Sequence, residues 1–194
     1  PQRQIYHCFG CGESGNAFKF LMQYERMEFP EAVEALAKKT GVNLPRVQKD
    51  DFKTTSLIMQ LYKIHELAAS FYANNLNSSE GLKAKDYLLK RGLTQESIES
   101  FKLGFASQKW DALINYLRAK NINLSTLEKA GLIIPKEGGG YYDRFRNRII
   151  FSIFDIKSRP LVFGARVLDS SLPKYINSPE TLIYTKGRNL YGIN

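Results

Sequence analysis

The last third of the chain, residues 144–192, places positively charged, amide and aromatic side chains between short apolar runs. It reads RFRNRIIFSIF, LVFGARVL, PKYINSPET and KGRNLYG. Arginine and lysine neutralise phosphates, aromatic rings stack on bases, and asparagine reaches base or sugar edges without adding charge. Pro173 and Pro179 restrict the backbone around the polar residues, so a fixed loop presents these groups. This composition predicts a groove for nucleic acid.

Within this segment, Arg144, Arg146 and Arg148 alternate with Phe145 and Ile149. Successive side chains of a β-strand point to opposite faces, so a strand here would gather the arginines on one face and the apolar residues on the other. Such a stripe suits a polyanion, but it also suits a solvated edge strand that uses charge to resist aggregation. The neighbouring PKYIN loop favours nucleic acid.

A second chemical feature is the pair Cys8 and Cys11 in a glycine-containing turn. A disulfide between them would close a trivial loop, whereas two thiolates at this spacing can bind one tetrahedral zinc ion. Zinc needs four ligands, and His7 points to the opposite face of the expected strand, while His65 belongs to a distant helix. A redox pair is the alternative, although such a motif normally opens a helix in a βαβ unit. The pair predicts half of a zinc site, with the other half expected upstream.

Lysine and arginine outnumber aspartate and glutamate by 28 to 19, which gives a formal net charge of +9. This excess indicates a polyanionic partner. We favour nucleic acid over an anionic membrane because the positive charge lies beside aromatic and amide residues, and no strongly basic amphipathic helix is evident. No apolar run is long enough to span a bilayer and no signal-peptide pattern opens the chain, so we expect a cytoplasmic location and no membrane partner.

The elements that must position the cysteines form a small module over residues 1–44. A strand over 4–12 enters the cysteine turn, and Asn16 caps the first helix. Pro30 opens a second helix, which Gly41 ends. The following segment, 45–55, is polar and lacks periodicity, so we interpret it as a linker between domains.

The elements that must position the basic segment are helical to about residue 135 and β-rich after it. Helical spacing runs over 56–76, 82–90 and 110–119. Thr94 has the position of an N-cap, and Ser125 and Glu128 have capping-box spacing for a short helix closed by Gly131. Two extended runs, 148–155 and 161–168, predict a β-hairpin or two adjacent strands. With 43 % hydrophobic residues among 194, the chain can bury a core, and its fold class is α+β.

The stretch IYHCFGCGESGNAFKFLMQYERMEFPEAVEALAKKTGV resembles the second half of the zinc-binding domain of bacterial DNA primases. That family has Cys-x-x-His followed by Cys-x-x-Cys, which implies that the first Cys and His precede Pro1. Three further stretches, KRGLTQESIESFKLGFA, YYDRFRNRIIFSIFD and LVFGARVLDSSLPKYINSPETLIYTKGRNLYG, resemble the amino-terminal subdomain of the primase RNA-polymerase domain. The resemblance implies a partial, zinc-ribbon-like module over 1–44 and this subdomain over 56–194.

By matched position, the resemblance implies contacts to template and incoming nucleotide for six residues: Arg91, Arg166, Lys174, Tyr175, Asn177 and Lys186. Arg91 has an equally good structural interpretation, because a basic residue at a helix end interacts favourably with the helix dipole. One departure is Ala165, where the family usually has a second glycine. Its methyl group is expected to lie close to the backbone that a phosphate would approach.

Nucleotidyl transfer needs converging carboxylates that hold divalent metal ions. The acidic candidates in this chain are scattered: Asp143, Asp155, Asp169 and Glu180. In the resembled family the metal-binding acids belong to the next subdomain, so we expect no catalytic residue in this chain and assign Mg²⁺ or Mn²⁺ to the parent enzyme.

The resemblance thus implies part of a primase that makes short RNA primers during replication. Its expected partners are single-stranded DNA template, RNA primer, nucleoside triphosphates and, through a domain that this chain lacks, the replicative helicase. The alternative is a stand-alone module that binds single-stranded nucleic acid without polymerase activity. An upstream Cys-x-x-His and a downstream acidic trio in the parent reading frame would favour the primase fragment.

Overall fold

The computed structural model describes residues 4–25, 27–42, 49–188 and 191–192. The chain divides into two compact units, Pro1–Asp51 and Phe52–Asn194. Both helices and sheets are present, which confirms the predicted α+β class.

The first unit pairs a short hairpin with two helices. Its elements are β1 (Ile5–His7), β2 (Ser14–Asn16), α1 (Ala17–Tyr24) and α2 (Phe29–Thr40). The predicted cap of α1 is confirmed, because Asn16 Oδ1 accepts the backbone N–H of Lys19 at 3.0 Å. Gly41 ends α2 in the left-handed conformation at φ 70°, as predicted. Sequence analysis missed β2 and the capping box in which Glu28 N donates to Glu31 at 2.7 Å.

The long helix α3 (Lys49–Leu76) begins earlier than predicted. Residues 49–55 of the predicted linker are therefore helical, and residues 45–48 lie outside the described residues. Further along, α3 buries Leu61, Ala68 and Tyr72 against the core of the second unit. Their spacing of seven and four residues returns each side chain to the same side of the helix.

The shorter helices of the second unit are α4 (Leu82–Lys90), α5 (Gln95–Ser100), α6 (Ala112–Arg118) and α7 (Leu124–Lys129). Thr94 caps α5 as predicted, since its Oγ1 accepts Ser97 N at 3.1 Å. The predicted Ser125–Glu128 capping box of α7 is wrong. Asn123 has the extended backbone of an N-cap, and its Oδ1 accepts Thr126 N at 2.8 Å.

The main sheet has four antiparallel strands in the order β3-β6-β7-β8. Their bounds are β3 (Gly104–Ala106), β6 (Arg148–Phe154), β7 (Pro160–Val167) and β8 (Tyr175–Asn177). The hairpin of β6 and β7 is the one predicted, whereas β3 and β8 were missed. A separate pair joins β4 (Ile133–Pro135) to β5 (Tyr141–Asp143).

Each face of the main sheet packs against different helices. Ile150, Ala165 and their neighbours form the first face, which packs in one core with residues of α3, α6 and α7. Ile149 and Phe105 belong to the second face, which packs with residues of α4 and α5. The sheet therefore separates two cores, and any group on it faces one side or the other. Within the described residues, no helix combines the length and apolar character that crossing a bilayer requires.

Candidate nucleic-acid interface

A cavity of about 590 Å³ lies where β6 begins, and we name it the arginine cavity. Its lining includes all three arginines of the predicted stripe together with two aromatic residues: Arg144, Arg146, Arg148, Trp110 and Tyr142. The structure thus brings these arginines together around one cavity, although they do not share one face of a strand.

β6 begins at Arg148, as the predicted run 148–155 requires, but the strand does not extend back to Arg144, and Asn147 has a positive φ of 50°. The strand geometry on which the arginine stripe depended is therefore absent. Instead, each guanidinium donates to a backbone carbonyl. Arg144 Nε reaches Gly131 O at 2.6 Å. Arg146 Nη1 reaches Asp143 O at 2.6 Å, and Arg148 Nη1 reaches Pro173 O at 2.9 Å. These carbonyls fix the arginines without neutralising them, and within the described residues none of the three is in an ion pair.

Arg146 packs against two aromatic rings, which also contact each other with centroids 5.5 Å apart. Its guanidinium carbon lies 4.0 Å from the centroid of Trp110 and 4.7 Å from that of Tyr142. Such cation–π contacts orient the planar group. Trp110 is still 57 % exposed, so part of its ring is open to a ligand. Sequence analysis treated Trp110 only as the start of a helix, and the signal that pointed to it was a lone tryptophan in the polar run QKWD.

Asp143 fixes the backbone that leads into Arg144 and Arg146. Its carboxylate accepts the N–H groups of Leu113 at 2.8 Å and Ile114 at 3.1 Å, at the start of α6. Burial raises the pKa of Asp143 to about 6, against the two N–H donors, which act to lower it. Asp143 therefore ties the segment that carries Arg144 and Arg146 to α6.

Arg166 forms a second site, the tyrosine–arginine cluster, with Tyr87 and Tyr175. Arg166 Nε donates to Tyr175 Oη at 3.1 Å, and an Nη atom donates to Tyr87 Oη. The guanidinium lies 4.9 Å from the ring centroid of Tyr87 and 5.8 Å from that of Tyr175. Burial acts to lower the pKa of Arg166, but the two phenol contacts raise it on balance. Tyr87 was missed, because its contact with Arg166 spans 79 residues of chain.

The strand register explains the composition of this cluster. Tyr175 and Asn177 lie on β8 rather than in the predicted loop, opposite Arg166 and Gly164 respectively. Since partners in adjacent strands share a face, all four residues lie on the second face. A Cβ at Gly164 would lie only 3.1 Å from Asn177 Oδ1, so this position is crowded.

Ala165 points away from the cluster. It is 2 % exposed and belongs to the core on the first face. The expectation that its methyl crowds an approaching phosphate is therefore wrong for the side of the strand that carries Arg166, because adjacent residues of a strand face opposite ways.

Of the remaining predicted residues, two lie near the tyrosine–arginine cluster and one lies in a separate turn. Arg91, exposed at the end of α4, follows Tyr87 by four residues and so lies on the same side of that helix. Lys174 is exposed beside Tyr175, with its Nζ 6.0 Å from that ring. Lys186 follows the turn over 181–184, and its backbone N–H donates to the carboxylate of Glu180 at 2.7 Å. This bond connects Lys186 to its own turn rather than to either arginine site.

The two sites lie on opposite faces of the sheet but share one loop. Arg148, on the first face, donates to the carbonyls of Pro173 and Lys174, at 2.9 and 3.5 Å. Lys174 O also accepts Val167 N at 3.1 Å, and the chain then enters β8 at Tyr175. Apart from Lys186, the predicted binding residues therefore divide into two groups, and this loop connects them.

The other three acidic candidates each fill a local structural role. Asp155 pairs with Arg159 at 2.7 Å in the β6–β7 turn. Asp169 accepts Ser171 N at 2.9 Å, and Glu180 accepts Lys186 N at 2.7 Å. Together with Asp143, these carboxylates lie in separate turns and caps.

The cysteine turn has the geometry expected of a thiolate site. Cys8 N donates to Glu13 O at 2.8 Å, Gly12 N donates to Cys8 O at 2.9 Å, and both thiols are exposed. Contacts from the backbone N–H and the thiol of Cys11 lower the pKa of Cys8. This donor pair fits two positions of a tetrahedral zinc shell. Across the described ranges, no cluster of three or more metal-ligating residues occurs.

Two family models match the chain. The CHC2 zinc finger matches residues 1–52, and the amino-terminal domain of the DNA primase catalytic core matches residues 71–194. This combination defines the class of replication proteins that join a zinc finger to a primase core. The chain belongs to the DnaG-type bacterial DNA primase family, as the sequence resemblance predicted.

Similar proteins agree with this assignment. The DNA primase of Halalkalibacterium halodurans is 46 % identical over 99 % of this chain and 32 % of its own length, and that of Pseudomonas aeruginosa is 43 % identical over 100 % and 30 %. The chain thus spans about a third of the curated relatives it matches.

Among solved structures, the DnaG primase catalytic domain bound to ssDNA is 40 % identical with a TM-score of 0.69, covering 72 % of this chain and 45 % of that one. The Aquifex aeolicus primase, with its zinc-binding and RNA polymerase domains, is 32 % identical with a TM-score of 0.61, covering 100 % and 46 %.

Proposed function

We propose that this chain supplies the template-binding and nucleotide-binding surface of a DNA primase, an RNA polymerase that makes short RNA primers on single-stranded DNA. The observation that carries the proposal is the convergence of three arginines, none of them ion-paired within the described residues, on a cavity that also contains Trp110 and Tyr142. A relative that covers most of this chain is a catalytic domain bound to ssDNA, which supports the same substrate.

The arginine cavity suits the single-stranded template. Each guanidinium uses one nitrogen on a carbonyl and keeps further N–H donors for a phosphate. The exposed part of Trp110 offers a stacking surface that accepts any base. Because three arginines would each neutralise one phosphate, we expect the logarithm of the binding constant to fall with the logarithm of salt concentration at a slope of about −2.

The tyrosine–arginine cluster suits phosphates of the incoming nucleotide or primer. Tyr87 and Tyr175 orient Arg166 but add no charge to oppose an anion. Lys174, just before β8, and Arg91, the C-cap of α4, are exposed nearby, and Asn177 offers an amide on the same face as Arg166. We assign Lys186 to this function on sequence grounds.

In this proposal the residues 1–44 form the zinc-binding module, 45–55 connect it, and 56–194 form the binding subdomain. Cys8 and Cys11 would hold zinc through two of its four ligands, and the ion would cross-link the module. The metal-binding carboxylates of the polymerase lie elsewhere in the primase, since Asp143, Asp169 and Glu180 serve caps and turns. We therefore assign the binding of Mg²⁺ or Mn²⁺ and the contact with the helicase to other parts of the primase. We expect the whole enzyme to be cytoplasmic.

The test measures binding of a fluorescein-labelled oligo(dT) by anisotropy over a salt series. Arg144→Ala and Arg146→Ala should each weaken binding and reduce the slope by about 0.7, the value for one phosphate on a single strand. Arg118→Ala is the matched control, because Arg118 is exposed on α6 and does not line the cavity. If both cavity variants bind like the control, the template does not use this cavity.

A further inference from the structure

A second cavity, of about 460 Å³, adjoins the arginine cavity. We name it the connecting cavity. Gln108 and Asn147 line both cavities, and Asn147 N donates to Ser107 O at 3.0 Å, which holds the two loops of this shared wall together. The two spaces are therefore neighbours along one surface rather than separate sites.

The connecting cavity extends toward the second face of the sheet. Phe105 and Leu168, which line it, pack with the core on that face. Lys83 of α4 also lines it. Tyr87 and Arg91 follow Lys83 at intervals of four residues, so the three side chains form a row along one side of α4. This row leads from the connecting cavity to the tyrosine–arginine cluster.

The charges of the connecting cavity favour a phosphate backbone. Two lysines, Lys83 and Lys109, line it together with one carboxylate, that of Glu80. Lys109 Nζ pairs with Glu80 Oε1 at 2.7 Å, but the two side chains are 64 % and 48 % exposed. Such an exposed pair is weak and screened by salt, so a phosphate can replace the carboxylate. Lys83 is exposed and, within the described residues, forms no ion pair.

We propose that one continuous single strand of nucleic acid runs from the arginine cavity through the connecting cavity toward the tyrosine–arginine cluster, where it meets the incoming nucleotide or primer. Lys83 and Lys109 contact its phosphates, and Glu80 competes with those phosphates for Lys109. The polar, uncharged Gln108 and Asn147 lie where the strand crosses the end of the sheet. This inference rests on the proposed function and adds the path between its two sites.

The test compares Lys83→Ala/Lys109→Ala with a control pair of equal charge change, Lys129→Ala/Lys157→Ala. All four lysines are exposed, and the control pair lines neither the arginine cavity nor the connecting cavity. On an oligo(dT) long enough to follow the whole path, the first variant should reduce the salt slope by about 1.4, which is twice the value of 0.7 for one phosphate. The control pair should leave the slope close to that of the unmodified chain, because its charges are screened from the path.

Glu80→Gln provides an independent readout in the opposite direction. It releases Lys109 and removes the carboxylate, so we expect tighter binding at low salt and a steeper salt slope. This gain should vanish when Lys109→Ala is added, since the freed lysine is what the phosphate contacts. Circular dichroism of each variant checks that the fold is kept.

The outcomes separate this inference from the function on which it rests. If the unmodified chain binds oligo(dT) with a salt slope that Arg146→Ala reduces, while Lys83→Ala/Lys109→Ala behaves like its control, the connecting path is wrong and the template cavity stands. If the unmodified chain shows no salt-dependent binding, the proposed function itself fails.

Discussion

Two buried titratable groups of the larger unit predict an unusual pH profile of stability. His65 is fully buried, donates from Nδ1 to Leu61 O at 2.8 Å, and stacks on Phe163 with ring centroids 5.6 Å apart. Burial lowers its pKa from 6.5 to about 4. Asp143 is 3 % exposed, and burial raises its pKa from 3.8 to about 6.

The two groups change the free energy of unfolding in opposite directions over nearly the same pH range. Below pH 6.5 the unfolded state protonates His65 while the folded state does not, so this group makes stability rise between pH 4 and pH 6.5. The folded state keeps the proton of Asp143 up to about pH 6, so that group makes stability fall over the same range. Each shift of two or more pH units corresponds to about 3 kcal/mol. Their contributions nearly cancel.

The perturbation is to remove one group at a time. In Asp143→Asn the free energy of unfolding should rise by about 3 kcal/mol from pH 4 to pH 6.5, because the His65 contribution is no longer opposed. In His65→Phe it should fall by a similar amount, while the unmodified chain changes little. Asp143→Asn should also be less stable than the unmodified chain near neutral pH, because an amide replaces one N–H acceptor of α6 with a donor.

The assay is urea unfolding at a series of pH values, followed by the fluorescence of Trp110, the single tryptophan. The double variant should return to a shallow profile, which controls for changes unrelated to titration. If both single variants run parallel to the unmodified chain, neither group titrates as its burial requires and the reasoning is refuted.

Four further outcomes follow from the structure. Asn123→Ala should destabilise the larger unit by about 1 kcal/mol in urea unfolding, whereas Ser125→Ala should have little effect, because Asn123 is the cap of α7. Ala165→Gly should lower stability by about 1 kcal/mol yet leave oligo(dT) affinity unchanged in the anisotropy assay, since the methyl faces the core. Lys174→Ala and Tyr175→Ala should weaken single-strand binding without unfolding the chain. Unchanged affinity in both variants would show that the binding surface does not include this loop. The chain alone should form no RNA product with template, nucleoside triphosphates and magnesium, and a labelled product on a gel would contradict the assignment of catalysis to another subdomain.

Features set by a few neighbouring residues could be predicted from the sequence. Asn16 and Thr94 stand directly before apolar helical periods, and the polar turn between β6 and β7 separates two runs of β-branched and aromatic residues. In each case the deciding hydrogen bonds span only a few residues. The family assignment also followed from ordered motifs along the chain.

Features set by distant residues could not be predicted in the same way. Alternation around Arg146 would have suited a strand, but this segment instead contacts Trp110, Tyr142 and the carbonyl of Asp143. The partner of Arg166 on α4 lies in a segment that local patterns describe only as helical. Register between β7 and β8 decides which residues share the second face, and no local pattern specified it.

The central claim is that single-stranded template occupies the arginine cavity. Its most direct test is photocrosslinking of an oligo(dT) that carries a photoreactive base, followed by mass spectrometry of the modified peptides. We predict crosslinks to Trp110 or Tyr142, which are lost when unlabelled oligo(dT) competes and reduced in Arg146→Ala. Competed crosslinks confined to the turn around Arg159, at the other end of the β6–β7 hairpin, would contradict the claim.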